Sequence, residues 1–287
     1  MKYLKAIGIS ILAIVMLVVS QLLAGTVSTC FLELFGAPEW LCNLLCGILY
    51  PLFAFLIAKF FMDKVLRQKL SENGIAPFGL KLKWVVLAIL LPAAVTVCYL
   101  LIIPGEYVSS GMSNARAFET VLTGVVYTGI AAGVVEEMVF RGFIFHALEK
   151  AWNTKVALIV PSILFGVVHI IGMDFSAGSC LLVIIAGTAV GIMFTLIRIE
   201  SGSVWSGALV HAMWNIIIIG GVLTISEAPD EYSIATYVLS MKSFAVTGGE
   251  FGIESSVIAL AGYVIVSFLA VLMIRKHRLN PGSDNEE

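Results

Sequence analysis

Gly133-Val134-Val135-Glu136-Glu137-Met138-Val139-Phe140-Arg141-Gly142 puts two adjacent carboxylates and a guanidinium into a run otherwise apolar enough to cross a bilayer. Each ionisable residue near the centre of a spanning helix costs roughly 2.5 to 3.5 kcal/mol on an insertion scale, so three in one helix need a reason. At about 100° per residue, Glu137 and Arg141 (i, i+4) lie about 40° apart on the helix, whereas Glu136 and Arg141 diverge by about 140°. Glu137 therefore has a built-in partner. Glu136 faces away from it, on the side that carries Gly129, Ala132 and Gly133, where small residues let another helix or a substrate backbone come close.

The rest of the chain agrees with a membrane setting. Of 287 residues 60% are hydrophobic and only 13% charged, more apolar material than the core of a soluble domain requires. The net charge of -2 carries no nucleic-acid footprint. Five cysteines, with no C-x-x-C pair, read as apolar packing residues rather than a disulfide or metal cluster. The expected fold is all-α: a polytopic bundle of eight spans near 6–25, 40–61, 84–103, 121–145, 156–173, 179–197, 203–223 and 256–274. The first run, flanked by Lys2 and Lys5, is expected to remain as an anchor. Three regions follow: 1–120 with a basic loop at 62–83, a core at 121–223, and 224–287 with a long loop, the last span and a tail. The loop 224–255, polar at its ends and apolar from Ile234 to Ala245, fits an interfacial helix or a lid equally well, and the acidic tail Asp284 to Glu287 reads as disordered.

Assigning loops alternately to the two sides places 15 of the 17 Lys and Arg residues with the N-terminus, leaving Arg116 and Lys242 opposite. Both termini are thus expected in the cytoplasm, in a cell membrane. Glu136 then lies 14 residues from Lys150, His169 14 from Lys155, and His211 and Asn215 13 and 17 from Arg198. At 1.5 Å per residue all four fall about 20 to 25 Å along their helices, at one level. Gly129/Gly133 and Gly187/Gly191 are G-x-x-x-G spacings that favour tight helix contact, and Gly207 and Ala208 lie one turn below His211.

Glu136-Glu137-x-x-x-Arg141, Phe165-x-x-x-His169 and His211-x-x-x-Asn215 resemble, in order, type and spacing, the three motifs of the CPBP intramembrane proteases, the group holding the type II CAAX prenyl endopeptidases and bacteriocin-immunity (Abi) relatives. The resemblance covers 136–215. It implies a helical membrane fold with a cavity open to the cytoplasm, and cleavage of peptide bonds in a membrane-associated protein or peptide. By it Glu136 would be the catalytic glutamate, His169, His211 and Asn215 the other catalytic residues, and Glu137, Arg141, Phe140 and Phe165 supports. The chemistry suits those types: amide hydrolysis needs a base for water and donors for the oxyanion, and Glu136, without a local cation, is the better base. His211 and Asn215, on one face, offer N–H donors. Whether Glu136, His169 and His211 bind zinc is left open, because a Glu that ligates metal could not also be the base. A non-catalytic immunity factor, or a proton- or metal-coupled transporter, would use the same polar core, although no internal repeat is visible.

Overall fold

The computed structural model describes residues 1–279, so the acidic tail lies outside the described residues. The molecule is mostly helical. Among the described residues, six helices are long and apolar enough to cross a membrane: α1 (Lys2–Phe35), α2 (Glu39–Leu66), α3 (Leu82–Ile102), α4 (Asn114–Ala151), α6 (Ala177–Ser201) and α8 (Val257–Leu279). Two shorter apolar helices, α5 (Thr154–Val168) and α7 (Val204–Ile219), fall where the fifth and seventh spans were expected. This is an integral membrane protein: large apolar side chains such as Leu4, Ile11, Leu22, Leu52, Ile89, Leu101, Ile265 and Phe268 stand exposed on its outer helices, a surface that only lipid tolerates on this scale.

The all-α expectation needs one correction. Strands β1 (Gly105–Ser109), β2 (Leu223–Ser226) and β3 (Ala235–Leu239) form a small sheet in the order β1-β3-β2, with β3 antiparallel to β1 and parallel to β2. The apolar middle of the loop 224–255 is therefore a central strand rather than an interfacial helix. Tyr237, Leu239 and Ile225 are buried, and Tyr107 meets Tyr237 with ring centroids 5.0 Å apart. The strand was hidden in the sequence because its partner, β1, lies more than 120 residues away.

Small side chains set how closely the helices approach. The buried face of α1 is Ala6, Ser10, Ala13, Met16, Ser20, Ala24 and Ser28, recurring every three or four residues, the stripe on which helices pack in lipid. Between α5 and α6, a Cβ added at Gly187 would come within 2.6 Å of the Gly166 Cα, and one at Gly191 within 2.8 Å of the Ser162 Cα. At Gly133 it would meet the Ala212 nitrogen at 2.9 Å, so α4 and α7 touch backbone to backbone.

The two ends of the bundle differ. α4 runs from the sheet at Asn114 to a basic end at Ala151. There the loop 67–81 is fastened under α7, with the Val204 N–H donating to the Gly74 carbonyl at 3.0 Å and Trp205 Nε1 to the Ile75 carbonyl at 2.8 Å. At the same end the buried Glu200 carboxylate takes Lys83, Trp84 Nε1 (2.6 Å), Lys81 (3.7 Å) and His277 (3.6 Å), tying α3, α6 and α8 together.

Candidate active site

α4 is not a regular helix where its charges sit. π-helical turns at Gly124–Ala131 and Met138–Ile144 bracket the short α-helical stretch Ala132–Glu137, so Glu136 and Glu137 stand between two places where the turn is widened. Such insertions concentrate at functional sites because they re-aim side chains that a regular spiral would carry past. Glu137 and Arg141 nevertheless pair as expected, Arg141 Nη1 donating to Glu137 Oε1 at 2.9 Å with both side chains fully buried.

The surroundings of that pair explain how two charges persist in the bundle. The Arg141 guanidinium lies 4.5 Å from the Phe165 ring centroid, 5.2 Å from Phe194 and 5.7 Å from Phe140, and its Nη2 donates to the Gly191 carbonyl at 3.1 Å. An aromatic box stabilises a cation most when water is absent. Gly207 leaves room for the carboxylate, since a Cβ there would lie 3.2 Å from Glu137 Oε2.

Glu137 also does something the spacing did not reveal. Its Oε1 is 3.2 Å from His211 Nδ1, so one carboxylate oxygen binds the arginine and the imidazole together. The His211 ring is stacked on Phe194, with centroids 4.8 Å apart and planes at 17°. With Nδ1–H directed at Glu137, Nε2 is turned toward Glu136, 3.9 Å from its Oε2. That separation is too long for a hydrogen bond and suited to a water held by both atoms. Glu136 keeps 21% of its side chain exposed, while its Oε2 is buried without a hydrogen-bond partner among the described residues.

His169 is placed differently from the expectation of a mid-span residue. α5 stops at Val168, and His169 caps it, its Nδ1 lying 2.6 Å from the Phe165 carbonyl. The ring satisfies a carbonyl that the last helical turn leaves free, which ends the helix and fixes the tautomer with Nδ1–H as donor. Nε2 is then an acceptor. Asn215 spends one amide hydrogen on the Thr128 carbonyl, at 2.9 Å. The expectation of two ready N–H donors on one face is thus revised: Asn215 has one amide hydrogen left, and His211 offers Nε2–H only when protonated.

Glu136, His169, His211 and Asn215 line one cavity of about 280 Å³, together with Phe165 and Phe194. Glu137, Arg141 and Phe140 lie behind its wall, buried. The wall is completed by Phe251 and Glu254 from the segment before α8, with Phe251 meeting His169 edge-on at 6.2 Å, and none of the lining residues comes from 62–83. The cavity accordingly sits toward the strand-bearing end of the bundle, and the cytoplasmic opening implied by the resemblance does not follow from this wall. As for zinc, the described residues include no group of three His, Cys, Asp or Glu side chains close enough to hold a metal ion, so Glu136, His169 and His211 do not fit as a ligand set in this arrangement.

Sequence reasoning missed Glu254. It lies in the stretch 224–255, with no local motif to single it out. Its Oε1 accepts from Trp214 Nε1 at 3.0 Å, and its backbone carbonyl accepts from the Tyr263 hydroxyl at 3.0 Å.

The site is thus a helical membrane protein's internal cavity lined by two carboxyl groups, Glu136 and Glu254, and two imidazoles, His169 and His211. Residues 118–217, which carry the three motifs quoted above, match the family described as Type II CAAX prenyl endopeptidase Rce1-like. The chain is also similar to Putative membrane peptidase YdiL of Bacillus subtilis (strain 168), 26% identical over 95 residues, which is 33% of this chain and 35% of that protein. The chain thus matches about a third of the length of that relative.

Proposed function

We propose that the protein is an intramembrane endopeptidase of the CAAX type that hydrolyses a peptide bond in a membrane-associated protein or peptide, prenylated or not, by water that Glu136 activates. The observation that carries the reading is the pair formed by Glu136 Oε2 and His211 Nε2, 3.9 Å apart on the wall of a cavity inside the bundle. The family match over 118–217 and the peptidase relative support the reaction class. Glu136 takes a proton from the water as its oxygen attacks the scissile carbonyl. His169 Nε2, an acceptor once Nδ1–H is committed to Phe165, holds the second hydrogen of that water and so aims its lone pair. Glu137 keeps the His211 ring in place and stabilises its protonated form, as a buried carboxylate does for the histidine of a hydrolytic triad. Protonated His211 and the remaining Asn215 amide hydrogen then face the oxyanion.

The same reading takes all eight apolar helices as spans, the two shorter ones ending at the cavity, and by the distribution of basic residues puts both termini in the cytoplasm. The test is to incubate purified wild type and Glu136→Gln in detergent with a library of membrane-segment peptides, with and without a chelator. Glu136→Gln is expected to lower turnover by about 10²- to 10⁴-fold while remaining folded. Equal product from the two proteins would remove the role of Glu136, and loss of product on chelation would show that a metal must enter the site.

A further inference from the structure

The mechanism above uses one of the carboxyl groups that line the cavity, and the wall holds a second, Glu254. We propose that Glu254 is the general acid of the reaction, delivering the proton that the leaving amine needs while Glu136 serves as the base. This deepens the reading of Glu136 as the group that activates water, and rests on it.

Glu254 reaches the cavity from the short turn Ile253–Ser255, immediately before α8, whereas Glu136 comes from α4. A peptide bond lying in the cavity between these two elements can present its carbonyl carbon toward the water on Glu136 and its nitrogen toward Glu254. The turn is held firmly: the Tyr263 hydroxyl binds the Glu254 carbonyl, the Ser255 hydroxyl binds the Gly248 carbonyl at 2.6 Å, and the neighbouring Glu250 accepts from the Ser176 N–H at 2.7 Å. Trp214 Nε1 fixes Oε1, on the same helix as His211 and one residue before Asn215. The carboxyl is thus held by α7, and the backbone that carries it by α8.

The surroundings favour the protonated form. Desolvation pushes the Glu254 carboxyl above the ordinary 4.5, with Glu136 adding to the rise and the Trp214 N–H, His169 and His211 working against it. The other titratable group packed on it is Tyr263 of α8, itself beside Tyr99 of α3. A carboxyl that holds its proton, across the cavity from one placed to take the proton of water, supplies an acid to partner the base.

The step balances. Glu136 takes one proton from water, and the hydroxide oxygen bonds to the carbonyl carbon. The C–N bond then breaks, and the nitrogen takes its electron pair and the proton of Glu254. The products are a carboxylic acid and an amine, leaving Glu136 protonated and Glu254 ionised. Transfer of that proton from Glu136 to Glu254 through cavity water resets the site.

The experiment measures kcat and KM across pH for wild type, Glu254→Gln, Glu254→Asp and Glu136→Gln, on a quenched peptide that wild type cleaves. Gln can still accept from Trp214 Nε1, so the fold is expected to persist, and Trp fluorescence and thermal unfolding check it. Glu254→Gln is expected to lose about 10²-fold or more in kcat with KM unchanged and to abolish the alkaline limb of the pH profile, while Glu254→Asp restores part of both. Wild-type kcat with both limbs intact in Glu254→Gln, alongside an inactive Glu136→Gln, would overturn this assignment alone. A pH-independent loss in Glu254→Gln accompanied by a raised KM would also overturn it, leaving a purely structural residue. Full turnover by Glu136→Gln would instead remove the underlying reading.

Discussion

The Arg141 guanidinium is held by Glu137, the Gly191 carbonyl and three phenyl faces, two of which, Phe165 and Phe194, also line the cavity. Removing one member of a buried pair leaves the other charge desolvated and uncompensated, which typically costs about 3–5 kcal/mol. Arg141→Met is therefore expected to lower the unfolding temperature sharply, and to impair turnover as well because Glu137 also holds His211. A thermal-shift measurement in detergent decides it: an Arg141→Met protein as stable as wild type would mean that the pair is not what holds this part of α4. The double variant Glu137→Gln/Arg141→Met removes both charges and is expected to recover part of the stability without recovering activity, since an amide in place of the Glu137 carboxylate no longer stabilises a protonated imidazole.

Helix packing has its own sensitive points. Gly166 and Gly187 bring α5 and α6 into backbone contact, and α5 is the short helix whose end carries His169. Gly187→Ala would push a methyl carbon to 2.6 Å from the Gly166 Cα, so the helices must separate. Overpacking of this kind costs about 1–3 kcal/mol. The expected outcome is a lower melting temperature and a loss of activity exceeding what stability alone explains, because His169 moves with its helix. Gly8→Ala on exposed α1, with nothing within 4 Å of the added carbon, is the control and is expected to behave as wild type. Indistinguishable melting curves for the two variants would show that the α5–α6 contact has slack the geometry does not reveal.

Across the bundle, charge separates the two ends. The Glu200 cluster and the loop 67–81 occupy the basic end, and the sheet and Glu254 occupy the other. Reporter fusions after residue 70 and after residue 110 are expected to read inside and outside respectively. The reverse would place the sheet in the cytoplasm and turn the cavity toward the inner leaflet. Either result fixes the side from which a substrate polar segment reaches the site.

Much of this was legible along the chain. Lipid as the solvent followed from composition, since nothing but a bilayer accommodates so much apolar surface. Among the described residues, the positions of the six long apolar helices and of the two shorter ones followed from apolar runs, and the Glu137–Arg141 pair from an i, i+4 spacing that depends only on local helix geometry. The close approach at Gly133, Gly187 and Gly191 was visible because a missing side chain is a local fact. Contacts between distant segments were not. Glu137 reaching His211, α5 ending on the ring of His169, the pairing of β1 with β3, and Glu254 closing the cavity beside Trp214 all join residues whose separation in sequence carries no periodic signal, or depend on where a helix stops. Periodicity reports which face of an element is apolar; which polar atoms meet across the bundle is decided only when the helices have packed.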